Sequence, residues 1–122
     1  MRIASIVEAN RRREDGAWMA SHSIAGLRLK VRGLGSVAHE AALKEFWDAA
    51  TEEHRKQPDI NDQAQRFVIR KALLAGWNLE DEFTDENVKA AMEAKLFRDE
   101  VVALAGDVAA RGRETLETET GN

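Results

Sequence analysis

The chain has 122 residues, one proline, no cysteine and a formal net charge of −4 at pH 7. Its length suits one domain with one modest core, and a hydrophobic content of 43% is enough for a globular fold. Without cysteine there are no disulfides and no thiol chemistry. No segment approaches the roughly 20 apolar residues of a membrane span, and the N-terminus lacks the apolar run of a signal peptide. The acidic balance disfavours general binding to nucleic acid but permits a local basic patch.

The first part of the chain predicts a β-hairpin that follows a short helix or arm. Residues 1–13 form the weak helix or arm, residues 17–20 a first strand and residues 21–26 the hairpin loop. Strict alternation predicts a second strand over residues 27–32. Three apolar residues lie on one face of this strand and three basic residues on the other: Leu27, Leu29 and Val31 against Arg28, Lys30 and Arg32.

The remaining chain predicts about four helices. Ser36 is a candidate N-cap for a long helix through about residue 56, and a second helix runs from about residue 61 to Ala75. Residues 85–95 form the third helix and residues 98–111 the fourth. The apolar stripe of the fourth helix is Phe97, Val101, Leu104 and Val108.

These elements predict an α+β protein that is mainly α, with a short N-terminal β-hairpin and a bundle of about four helices. We expect a single small domain over residues 1–113, with its hairpin at about residues 15–33. Residues 114–122 are acidic and contain one apolar residue, so we expect a flexible tail there.

The segment from Leu74 to Asn87 predicts the end of one helix and the start of the next. Gly76 follows an apolar run and suits the left-handed C′ position of a helix, with Trp77 packing back on the last turn. Thr84 is a good N-cap, and the two acidic residues after it suit the positive end of a helix.

Two motifs suggest chemistry, and each lacks a required partner. Residues 33–38 match a relaxed dinucleotide-binding fingerprint, but no second strand with an acidic residue follows them. Residues 39–43 begin like a zinc-protease motif, but Leu43 stands where the second histidine is needed. The serines and paired carboxylates form no catalytic pattern either. We therefore predict no enzyme activity, no catalytic residue, no metal site and no cofactor.

The basic strand face of Arg28, Lys30 and Arg32 lies close in sequence to the run of residues 11–13, which is also basic. Together they could form a phosphate-binding patch. No aromatic residue interleaves with the basic run, and exposed strands often carry charge to block edge pairing. A solvated face or an acidic protein partner is therefore favoured over nucleic acid.

The order of short motifs resembles a known family. The motifs are Asp15-Gly16-Ala17-Trp18, Leu29-Lys30-Val31-Arg32-Gly33-Leu34, Leu74-Ala75-Gly76-Trp77, Phe83-Thr84-Asp85-Glu86-Asn87, Phe97-Arg98-Asp99 and the end Gly121-Asn122. Over most of residues 15–122, this order resembles the small tail assembly chaperones of long-tailed bacteriophages. Residues 1–13 do not match the pattern.

The resemblance implies a non-enzymatic protein that binds the tape measure protein and helps recruit tail tube subunits. It also implies action in the cytoplasm of the infected host cell, absence from the mature virion and, in many relatives, a longer frameshifted form. A holdase for helical segments needs apolar anchors. The candidates are Trp18, Trp47, Trp77, Phe83 and Phe97. We expect one or two of them to be partly exposed, with Trp47 and Trp77 first.

The alternative hypothesis is a small regulatory or inhibitory module that uses the basic strand face against nucleic acid or a host defence complex. Short helices and aromatic residues could equally support self-association.

Overall fold

The computed structural model describes the backbone of residues 1–121 and the side chains of residues 1–111. Among these residues, no helix is long and apolar enough to cross a membrane. The elements in chain order are α1 (Ile3–Asp15), β1 (Ala17–Ala20), β2 (Arg28–Val31), α2 (Val37–Ala49), α3 (Glu52–Arg55), α4 (Ile60–Val68), a π-helix (Ile69–Leu73), β3 (Leu74–Trp77), α5 (Asp85–Ala91) and α6 (Lys95–Gly121). The predicted class, α+β and mainly α with an early hairpin, is confirmed.

The three strands form one antiparallel sheet in the order β1-β2-β3. The predicted alternation on β2 is confirmed, because Leu27, Leu29 and Val31 are all buried on the inner face. On the outer face, one cross-strand row contains Trp18, Lys30 and Gly76. The sheet therefore has one apolar face towards the helices and one polar, aromatic face away from them.

The core lies between the inner face of the sheet, the π-helix and α6. The apolar stripe predicted for the last helix is confirmed, since all four of its members are buried: Phe97, Val101, Leu104 and Val108. Its helix begins at Lys95 rather than at residue 98, and α5 correspondingly ends at Ala91 rather than near residue 95.

The single long helix expected through about residue 56 is wrong, because the chain breaks after Ala49. Ser36 does cap α2, and its Oγ accepts a hydrogen bond from His39 N at 3.2 Å. Ala50 then adopts an extended conformation, and Thr51 caps the short helix α3. The Arg55 guanidinium donates to the carbonyl oxygens of Trp47 and Ala50, which satisfies the end of α2.

The helix end predicted at Gly76 is also wrong. The chain passes from α4 through the π-helix into β3, so Gly76 is a strand residue and its φ is not positive. A Cβ on Gly76 would lie 3.3 Å from Cη2 of Trp18 and 3.4 Å from Cβ of Lys30. Pairing with β2 therefore overrides the local stop signal, and the glycine leaves room for the indole ring of Trp18.

The helix start predicted after Phe83 is confirmed. Thr84 Oγ1 accepts a hydrogen bond from Asn87 N at 3.1 Å, and α5 begins at Asp85. Phe83 packs edge-on against Trp77, with ring centroids 5.0 Å apart. Trp77 is only 8% exposed, and its Nε1 donates to the carbonyl oxygen of Asp81 at 2.8 Å.

The chain termini form helices that contact each other. Helix α1 continues through Asp15, two residues beyond the helix or arm predicted for residues 1–13, and ends where Gly16 takes a φ of 102°. The backbone of α6 is helical to Gly121. Flexibility of residues 114–122 stays a prediction, and Asn122 lies outside the described residues.

A buried carboxylate fixes the hairpin loop to α6. Glu100 is 6% exposed and accepts hydrogen bonds from Ser21 Oγ, His22 N and Ser23 Oγ at 2.9, 2.7 and 2.6 Å. Burial raises the pKa of Glu100, but the hydrogen bonds from Ser23, His22 and Ser21 outweigh that effect, and the net pKa is lowered. The charged form of Glu100 therefore stabilises the fold.

We predict that Glu100→Gln lowers the free energy of unfolding by about 1–3 kcal/mol at neutral pH, because at least one hydrogen bond to a buried charged group is lost. A group whose pKa is lowered by folding stabilises above its ordinary pKa, and the contribution is lost as the pH falls through the folded-state pKa. The difference between wild type and variant should therefore shrink below about pH 4. Urea unfolding of wild type and variant across a pH series measures this difference in stability.

The matched control is Glu45→Gln, which removes an exposed carboxylate on α2 and should change stability by less than about 0.5 kcal/mol. A difference in stability between wild type and Glu100→Gln that stays constant from neutral to acid pH would contradict this role of the Glu100 carboxylate.

We also predict that Trp77→Ala destabilises the fold by about 3–5 kcal/mol, since it removes a buried aromatic side chain that contacts Phe83 and Phe97. Trp18→Ala should cost far less, because Trp18 is 48% exposed. Thermal unfolding followed by circular dichroism compares the two variants. Similar losses of stability in both variants would contradict this prediction and show that Trp18 also supports the core.

Candidate functional site

An apolar groove of about 200 Å³ opens between α2, α4, the π-helix and α6. Seven of the nine side chains that line it are apolar. The lining residues are Leu34, His39, Leu43, Ala64, Gln65, Val68, Ile69, Leu73 and Val102. The groove lies on the helical side of the core, away from the outer face of the sheet.

The local structure explains why this groove stays open. The π-helix interrupts the α-helical hydrogen-bonding pattern after Val68, and π-helical segments are frequent at functional sites. Ala64 contributes only a methyl group to the wall. Gln65 is held at the rim by Arg98, whose Nε donates to Gln65 Oε1 at 3.0 Å. Arg98 is itself buried and also donates to the carbonyl oxygen of Met92.

The groove carries no net charge at neutral pH. Burial lowers the pKa of His39, and this outweighs the nearby Glu40, which raises it. His39 Nδ1 accepts a hydrogen bond from Gly35 N at 3.0 Å, which requires that nitrogen to be unprotonated. An uncharged, mainly aliphatic groove favours apolar side chains over ionic ligands.

The size of the groove also favours a protein partner. A volume of about 200 Å³ is below the roughly 300–1,000 Å³ typical of small-molecule and cofactor sites. Shallow apolar grooves between helices accept the anchor side chains of an amphipathic helix. Sequence reasoning missed this site, because its residues read as core positions of separate helices.

The five aromatic residues predicted to bind a partner separate into three environments. Trp77 and Phe97 are buried together in the core, so the expectation that Trp77 is partly exposed is wrong. Phe83 covers the Trp77 ring and is 41% exposed. Binding of a partner by any of these three stays a prediction.

Trp47 belongs to a second aromatic cluster, at the corner of α2, α3 and α4. It is half-buried, as expected, and packs edge-on against Phe46 with ring centroids 5.2 Å apart. Phe67 also contacts Phe46, and the Arg55 guanidinium lies 5.9 Å from the centre of the Trp47 ring. Trp47 thus combines a structural role with a partly open surface.

Trp18 is the most exposed of the five aromatic candidates, and it stands on the outer face of the sheet. It lies opposite Lys30 in the register, and its ring reaches across to Gly76 on the third strand. An aromatic residue therefore does adjoin the basic strand face. Sequence reasoning missed this proximity because it results from the pairing of two strands, which the linear sequence does not display.

Only part of the basic strand face is available to bind a partner. Arg28 is exposed and Lys30 is half-buried. Arg32 is committed to the fold, since its guanidinium donates to the carbonyl oxygens of Glu14 and Ala72 at 3.0 and 3.1 Å. On α1, Arg11 forms an ion pair with Glu8.

The glycine-rich turn before α2 is structural in this chain. Val37 N, at the start of α2, donates to Glu14 Oε2 at 2.9 Å, so a carboxylate of the protein occupies the position where a phosphate would sit. Gly35 takes a φ of 83°, which a tight turn requires. In the described part of the chain, no three histidine, aspartate or glutamate side chains are grouped to hold a metal ion.

No curated protein and no solved structure gives a significant match to the chain. A family model described as "Phage tail assembly chaperone" matches residues 20–107. This range contains the groove, while α1 precedes it. The chain therefore belongs to the phage tail assembly chaperone family.

Proposed function

We propose that this chaperone binds the tape measure protein through the apolar groove, and that it keeps exposed helical segments of that protein from aggregating during tail assembly. The family match supports a role in assembly. The single observation that carries the choice of site is the uncharged groove between α2, the π-helix and α6.

The groove suits a helical client for a physical reason. An amphipathic helix presents anchors at positions i, i+3, i+4 and i+7, and each anchor gains free energy when it leaves water. Leu43 on α2 and Val102 on α6 are both half-buried and line the groove, so both can contact an anchor that enters it. The client is thus recognised by shape and apolarity, which suits a long repetitive helical protein.

We propose further that the chain acts by binding and not by catalysis, and that it helps recruit tail tube subunits in the infected host cell without entering the virion. Its membership of a chaperone family supports this view. A longer frameshifted form would tether a second binding module to the C-terminal end of α6.

We predict that Leu43→Glu weakens binding to a synthetic amphipathic helix from the cognate tape measure protein by about thirtyfold or more, because it places a carboxylate in an apolar contact. Val102→Glu, on α6, should have a similar effect. Fluorescence anisotropy of the labelled helix measures the affinities, and circular dichroism verifies that each variant folds.

The matched control is Val37→Glu, which makes the same change on the same helix at a position that is 72% exposed and outside the groove. It should leave the affinity within about twofold of wild type. Equal binding by wild type and by both groove variants, once folded, would reject the groove as the client site.

Co-expression tests the proposal in the cell. We expect the tape measure protein to be recovered in the soluble fraction with wild type or Val37→Glu, and to aggregate with Leu43→Glu. A tape measure protein that is equally soluble without the chaperone would remove the proposed function altogether.

A further inference from the structure

The outer face of the sheet carries an apolar ring bordered by cations. Trp18 is 48% exposed, although one edge of its indole packs over Gly76. Lys30 is its cross-strand neighbour, and Arg28 lies two residues before Lys30 on the same face. We refer to Trp18, Arg28 and Lys30 as the sheet platform.

The two cations of the sheet platform have no acidic partner among the residues whose side chains are described. Two other basic side chains of the predicted patch are engaged: Arg32 donates to two carbonyl oxygens, and Arg11 pairs with Glu8. The protein as a whole has a net charge of −4. A pair of cations left unmatched on an acidic protein attracts an anionic group.

The ring position is held by the fold. Gly76 provides the space into which the edge of the indole fits, and the register places Trp18 directly opposite Lys30. A tryptophan fixed in this way presents a large apolar surface at a low cost in side-chain entropy, which is why tryptophan is enriched at binding hot spots.

We propose that the sheet platform binds an acidic protein segment, with an apolar side chain of that segment against Trp18 and its carboxylates against Arg28 and Lys30. Nucleic acid fits less well, because binding to it depends on many phosphate contacts and the sheet platform contributes two cations. The site lies on the opposite side of the sheet from α6 and the groove, so it is independent of the proposed tape measure site.

Fluorescence anisotropy with a short, labelled peptide of glutamate and leucine tests this proposal on the full chain. We expect binding that weakens as salt is added. Trp18→Ala should weaken it by about thirtyfold, which is the loss typical of a hot-spot residue. The double variant Arg28→Glu, Lys30→Glu should weaken it by roughly tenfold or more.

Two controls separate the platform from general electrostatic attraction. The double variant Lys56→Glu, Lys89→Glu makes the same change in net charge at exposed positions outside the sheet, and it should retain binding within about threefold. The same peptide with glutamine in place of glutamate should bind much more weakly. Thermal unfolding of each variant verifies the fold, and Trp18→Phe should recover part of the affinity lost in Trp18→Ala.

The proposal is overturned if the peptide does not bind, if binding survives both the Trp18 and the cation variants, or if labelled oligothymidine binds this face and the peptide does not. Leu43→Glu, which blocks the groove, should leave peptide binding unchanged. The acidic peptide therefore tests the sheet platform separately from the tape measure proposal, which is tested with the amphipathic helix.

Discussion

The packing of α6 against β2 and the π-helix is the interaction on which the rest of this structure depends. Leu29, Val31, Val101 and Leu104 have no exposed surface, and burial of each such side chain contributes about 1.5–3 kcal/mol. The sheet is small, with strands of four residues, and it would be marginal alone. Both candidate surfaces exist because this contact fixes the sheet and the helices relative to each other.

Polar groups at the edges of this contact position the loops. Glu100, one residue before Val101 on α6, accepts three hydrogen bonds from the hairpin loop, and Arg98 reaches Gln65 at the rim of the groove. Charged groups are rarely buried unless they are paired or hydrogen-bonded. Glu100 and Arg98 meet this condition, so one turn of α6 connects the hairpin, the core and the groove.

The elements predicted well are those whose signal is local. The alternation of β2, the caps at Ser36 and Thr84 and the stripe of α6 each depend on neighbouring residues, and the structure confirms them. The helix end predicted at Gly76 is wrong because the structure there depends on a distant partner. Leu74–Trp77 resembles a helix end in the sequence and becomes a strand because β2 offers it a partner. Likewise, neither the exposure of Trp18 nor the burial of Trp77 follows from residue type, because each results from the register of the sheet and from its two faces.

The two proposed surfaces differ in the physics of recognition. The groove is apolar and uncharged, so its affinity depends on the area buried and responds little to salt. The sheet platform combines one aromatic side chain with two cations, so its affinity and rate of association depend on ionic strength. Because the sheet and α6 separate them, both can be occupied at once. A chaperone built in this way can hold a helical client on one side while an acidic segment of another assembly component binds the other side, which would bring the two components together without any change in the core.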